Sequence, residues 1–144
     1  MPSDTAFLMT VETPTIDHLI EDLQKVGLCP GDTVYVHTSL KRIGWIEGGA
    51  NALIDAFVKV LGVHGTLAVP THTLSFVDLG VPPYDPAQTP TYLGALPNAV
   101  RSHPSAHRSG HASHSSAAIG EHAAYLTENH DPRHALGVTV ENPA

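Results

Sequence analysis

The stretch from Tyr35 to Leu61 constrains this chain most, because its hydrophobic pattern changes period part-way along. Val34 and Val36 alternate with Thr33 and Tyr35, the period of two that a strand entering a sheet requires. Leu53, Ile54, Phe57, Val60 and Leu61 then recur at helical spacing, and Gly62 is placed to cap the helix. Between them lies a loop rich in hydroxyls and glycine, with Thr38, Ser39, Gly44, Gly48 and Gly49. Glycines that open a helix let a ligand approach the backbone, where free N–H groups and the helix dipole favour an anion. A plain strand-to-helix connection with hydroxyl caps accounts for the same residues. The loop is neither a Walker motif nor GxGxxG.

Around this unit the chain reads as an α/β protein. Ile16, Leu19, Ile20 and Leu23 mark one helix face, with Thr15 as N-cap and Gly27 near the end. Cys29 to Asp32 (CPGD) forms a turn into the first strand. Gly65 to Thr73 predicts a second strand stopped at Pro70, and Tyr92 to Ser102 a short helix. Ser115 to Ile119 predicts another strand, and Glu121 to Glu128 a helix with Glu121 in its first turn. Alternating helices and strands predict layered helices on a largely parallel sheet. Residues 74–91, with Gly80, Pro82, Pro83, Pro86 and Pro90, predict a long loop of the kind that is functional or disordered. Residues 1–12 read as a disordered lead-in, and 13–144 as one domain. Only three or four strands are evident and the chain stops at Glu141–Ala144 without a final element, which predicts a fragment, the N-terminal part of a larger domain.

Composition narrows the partners. A net charge of −7, with only seven Lys and Arg, argues against nucleic acid and suits a cationic small molecule. No apolar run approaches the ~20 residues that span a bilayer. A lone cysteine, Cys29, and the absence of a basic, apolar leader predict a cytoplasmic location. Eleven histidines invite a metal reading, with His103, His107, His111 and His114 close together. Pro104 and Gly110 interrupt the helix that would align them, and there is no HExxH, so no metal is expected. SGHASHSS lacks the G-x-S-x-G elbow of a serine nucleophile, and Cys29 has no activating neighbour. RSGH (Arg108 to His111) offers a cation for a phosphate or carboxylate and an imidazole that exchanges protons near neutral pH.

Taken in order, VHTSLKRIGWIEGGANALIDAF, GTLAVPTHT, YDPAQTPTYLGALPNAVRSHP, HRSGHASHSSAAIG and the ENH ending at His130 resemble the aminoglycoside 3-N-acetyltransferase family over about residues 15 to 137. The resemblance implies the antibiotic N-acetyltransferase fold and transfer of acetyl from acetyl-CoA to an amine, with no metal. It implies coenzyme A contacts at Thr38, Ser39, Leu40, Gly48, Gly49, Arg108 and Ser109. His111 matches the family's catalytic histidine, expected to take the proton of the acceptor amine in one direct transfer. No carboxylate to orient its imidazole is evident in the sequence. Thr71 and His72 would floor the site, and Asp78, Tyr84 and Asp85 would face a cationic aminoglycoside or related amino sugar. Ala112 stands where the family's motif has proline, and residues 72–88 lack the tryptophan-containing insertion of aminoglycoside-modifying members. A homo-oligomer is compatible with this assignment. The competing expectation is a truncated, inactive remnant that acts at most as a ligand- or metal-binding module.

Overall fold

A computed structural model describes residues 13–73, 83–128 and 130 of the chain. The lead-in 1–12, part of the long loop with Asp78, and the final residues lie outside them. In chain order the elements are α1 (Ile16–Lys25), β1 (Thr33–Tyr35), α2 (Leu40–Ile43), α3 (Gly49–Leu61), β2 (Thr66–Pro70), α4 (Ala95–Arg101), β3 (His107–Arg108), β4 (Ser116–Gly120) and α5 (Ala123–Glu128).

Helix α1 starts where the sequence places its cap. The Thr15 hydroxyl accepts the His18 N–H while His18 Nδ1 accepts the Thr15 N–H, a reciprocal capping box. Thr15→Ala should therefore cost about 1 kcal/mol, read as a lower midpoint in urea with an unchanged slope. An unchanged midpoint would show that the box contributes nothing. The CPGD turn closes through the Asp32 carboxylate, which accepts the Cys29 N–H at 2.8 Å.

Helix α3 buries Leu53, Ile54, Ala56, Phe57, Val60 and Leu61, more than a single stripe, because it packs against α1, α4 and β2. Gly62 caps it with φ 67°, as its position predicts. Strand β2 is buried at all five positions, because both faces of the sheet are covered. Leu67 and Val69 join Ala117 and Ile119 of β4 in the main core beneath α3 and α4, while Ala68 and Ala118 face Ala123 of α5. Alanine suits that second face, since small side chains let α5 approach closely.

The layered α/β expectation holds, but the sheet is not largely parallel. Its order is β1-β2-β4-β3; β1 and β2 are parallel, whereas β4 runs antiparallel to both β2 and β3. The link 109–115 from β3 to β4 is too short for a parallel return, which takes roughly a dozen residues or more. Helix α4 begins later than Tyr92, at Ala95, because Gly94 adopts φ 117° and Thr91 is tied to the Asn98 amide. The short elements α2 and β3 carry too few residues to show a period.

Candidate active site

The sheet brings four chain segments to one end: the exits of β1, β2 and β3, and the entry of β4. Beyond Pro70 the chain keeps pairing with 113–115, through Thr71 N–H to Ser115 O at 2.8 Å and Thr73 N–H to Ser113 O at 3.0 Å. Thr71 and Thr73 alternate inward and are fully buried, and the Thr73 hydroxyl donates to Ala112 O. This pairing holds the RSGH loop against the exit of β2, which is the position to which strand carboxyl ends commonly deliver ligand-binding groups.

His111 is the buried imidazole of the loop, 4% exposed. Its Nδ1 accepts the backbone N–H of His114 at 3.0 Å and of Ser113 at 3.3 Å. Its Nε2 is buried with no hydrogen-bond partner among the described residues. Around it the His130 ring lies 4.8 Å away and the His114 ring 5.5 Å away, and His114 meets His72 edge-on at 5.0 Å. Burial, then the neighbouring His114, His37, His111 and His130, lower the pKa of His72 below the ordinary value of 6.5. Among the described residues no three His, Cys, Asp or Glu side chains converge as a metal site.

Arg108 is committed to its own chain. Nε donates to the Thr71 hydroxyl at 3.1 Å and to the Ser115 hydroxyl at 3.3 Å, and Nη2 donates to Thr71 O at 2.9 Å. Nη1 reaches Pro86 O at 3.2 Å and also Thr89 O. The guanidinium sits 5.1 Å from the Tyr84 ring centre, and Tyr84 donates its own hydroxyl to Ser109 O at 2.7 Å. Burial lowers the Arg108 pKa and raises that of Tyr84. Ser109 is fully buried, with its hydroxyl accepting the Ser116 N–H at 3.0 Å and lying 3.0 Å from His130 Nδ1. Together these residues clamp the 83–91 segment onto the sheet.

The glycine loop is open by contrast. Ser39, exposed, makes no capping hydrogen bond at the start of α2, and Gly48, at φ 80°, offers α3 no side-chain cap. Gly49 N–H is taken by Ile46 O at 2.9 Å, which leaves the Ala50 and Asn51 amides as the first-turn donors without a carbonyl behind them in the helix. Thr38 lines an apolar cleft of ≈ 210 Å³ between α1 and α3, with Leu19, Val36, Ile43 and Phe57, and among the described residues no histidine borders it.

The chain has known relatives. A family model described as aminoglycoside 3-N-acetyltransferase matches residues 35–139. The chain belongs to that family. A Bacillus subtilis (strain 168) relative, the SPbeta prophage-derived aminoglycoside N(3')-acetyltransferase-like protein YokD, is 34% identical, with 85% of this chain and 53% of the relative covered. Aminoglycoside N(3)-acetyltransferase III from Salmonella sp is 38% identical, with 83% of this chain and 47% of the relative covered. The chain thus spans about half the length of the curated relatives it matches. The crystal structure of aminoglycoside acetyltransferase AAC(3)-Xa superposes with a TM-score of 0.74 at 36% identity, covering 81% of this chain and 47% of that one. AAC-IIIb in a binary complex with CoASH superposes with a TM-score of 0.75 at 27% identity, covering 84% of this chain and 51% of that one. AAC-VIa bound to sisomicin does so with a TM-score of 0.73 at 27% identity, covering 83% and 51%.

Within this family member the sequence-expected residues separate into three groups. His111, Thr71, His72, Arg108 and Ser109 meet at the sheet end. Thr38 and Ser39 follow β1, Leu40 opens α2, and Gly48 and Gly49 cap and open α3. Tyr84 joins the Arg108 clamp, while the exposed Asp85 turns its carboxylate to the Ala87 N–H at 2.8 Å and so caps a turn. Ser115, Ser116, His114 and His130 also belong to this end of the sheet. Ser115 has no sequence signal, since its value comes from lying across from Thr71.

Proposed function

We propose that this chain is part of an acetyl-CoA-dependent N-acetyltransferase that modifies an amino group of an aminoglycoside or related amino sugar. The observation that carries this is the buried His111 imidazole, with an unpartnered Nε2, at the sheet end of a family member. Coenzyme A is assigned to the loop Thr38, Ser39, Leu40 and the glycine pair Gly48–Gly49. Their uncapped helix start suits a pyrophosphate, and CoASH is the ligand in the AAC-IIIb neighbour. Arg108 and Ser109 are assigned to coenzyme A by the family resemblance, and they hold the RSGH loop and the 83–91 segment at the sheet end. The acceptor is a polycation, in keeping with the net charge of −7 and with sisomicin in the AAC-VIa neighbour. Asp85, and Asp78 from outside the described residues, are the loop carboxylates assigned to it. Transfer is direct, without an acyl-enzyme, and a histidine collects the amine proton.

Thiol release from acetyl-CoA with a panel of aminoglycosides tests this. The expected result is acceptor-dependent turnover, reduced about 10²–10⁴-fold in His111→Ala. A folded chain that releases no thiol at millimolar acceptor would overturn the assignment of activity to this chain.

A further inference from the structure

We propose that Ser109 is a positioning residue: its buried hydroxyl ties His130, beyond the end of α5, to the sheet end and makes no contact with coenzyme A. This replaces the cofactor contact that the family resemblance implies. Its consequence for turnover rests on the acetyl-transfer reading above, but the tie itself does not.

Ser109 follows the last residue of β3 and stands opposite Ser116, the first of β4. A hydrogen-bonded antiparallel pair exchanges two backbone bonds. Here one is present, from Ser109 N–H to Ser116 O at 2.9 Å. The Ser109 carbonyl instead accepts the Tyr84 hydroxyl at 2.7 Å, and the Ser116 N–H turns to Ser109 Oγ at 3.0 Å. The side chain thus stands in for its own carbonyl, and the ladder ends there.

The hydroxyl hydrogen then needs an acceptor, and Ser109 is fully buried, away from bulk water. Among the described residues the acceptor within reach is His130 Nδ1, at 3.0 Å. Ser109 therefore donates to Nδ1, and all of its polar groups are engaged inside the chain. A pantetheine amide or a phosphate would reach Ser109 only by breaking one of these bonds, in a place closed to solvent.

The packing of α5 explains why a directional tie is useful. The helix has six residues, and Ala123 meets Ala68 and Ala118, with Leu126 partly buried beside them. The Thr127 hydroxyl is spent within the helix, on Ala123 O at 2.9 Å. Small side chains allow close approach without dictating where the next residues lead. The Ser109 bond supplies a direction, and the His130 ring stands 4.8 Å from that of His111, tilted by 40°.

Nitrogen-15 NMR of the histidine-labelled chain reads the tie without turnover. His130 Nδ1 is expected as an unprotonated acceptor whose signal moves in Ser109→Ala, while those of His18 and His64, on α1 and before β2, stay in place. An unchanged His130 signal in folded Ser109→Ala overturns the proposal. Should that variant not fold, Ser109→Cys carries the same comparison, since it keeps the volume with a much weaker donor. Calorimetric titration with coenzyme A should give a Kd within about twofold of the parent, and a loss of about tenfold with His130 unmoved would make Ser109 a cofactor contact and overturn the proposal. In turnover, Ser109→Ala should lose up to about 10²-fold in kcat through misplacement of the ring. The Ser109→Ala/His130→Ala double variant should be no slower than His130→Ala, because the hydroxyl acts through that ring. Losses that multiply overturn the route through His130. A parent chain without turnover overturns the acetyl-transfer reading alone, and the nitrogen shifts still decide the tie.

Discussion

Gly120→Ala is expected to abolish stable folding, although the change adds a single methyl group. Gly120 ends β4 at φ +124°, a backbone region that non-glycine residues enter only with strain of about 1–3 kcal/mol. A Cβ there would stand 2.1 Å from Gly65 O and 2.8 Å from Thr66 Cα, both backbone atoms. Neither can retreat cheaply. Gly65 O accepts the Glu121 N–H at 3.2 Å, and Thr66 is the register partner of Gly120 and fully buried. The methyl must therefore push β2 and β4 apart in the middle of the sheet. Strain and displaced packing together should exceed about 4 kcal/mol, a large share of the ~5–15 kcal/mol that keeps a domain folded. Urea unfolding and amide NMR dispersion check this against Gly110→Ala, where the added methyl meets nothing within 4 Å. A Gly120→Ala chain within about 1 kcal/mol of its parent would mean that β4 does not cross β2 this closely.

Arg108→Met should lower stability by about 2–3 kcal/mol, because it removes a charged donor and leaves its acceptors unpaired. The methionine keeps much of the apolar stem but loses the guanidinium over the Tyr84 ring and gives nothing to Thr71 O, Pro86 O, Thr89 O or the Thr71 and Ser115 hydroxyls. Those groups hold the exit of β2, the entry of β4 and the 83–91 segment together. Loss of the clamp should lower Tm by about 5–10 °C and open the 83–91 segment to protease. A guanidinium used mainly to grip a cofactor phosphate would behave differently. Its loss would weaken coenzyme A binding and leave Tm and proteolysis unchanged, and that result would refute the clamp. Lysine should not rescue, since one ammonium cannot span acceptors on three segments.

Much of the fold follows from local chemistry. Thr15 caps α1 through contacts within three residues, and Leu53, Ile54, Phe57, Val60 and Leu61 mark α3 through spacing alone. Gly62 ends that helix because its positive φ suits glycine, and Ser116–Gly120 lies one residue from the expected strand. The family was likewise legible from the order of its short segments, although no single segment identifies a chemistry.

What the tertiary structure decided is everything that depends on a distant partner. Periodicity shows which face of a strand is buried but not which strand lies beside it, so a parallel sheet was expected where β4 runs antiparallel between β2 and β3. RSGH displays a cation and an imidazole to any reader of the sequence. Whether Arg108 serves a ligand or its own chain depends on carbonyls 19 to 37 residues away. Which nitrogen of His111 holds the hydrogen depends on how the following turn aims its amides. A hydrogen bond is a matter of direction and distance in space, and sequence spacing carries that information only within one turn of a helix or one step of a strand.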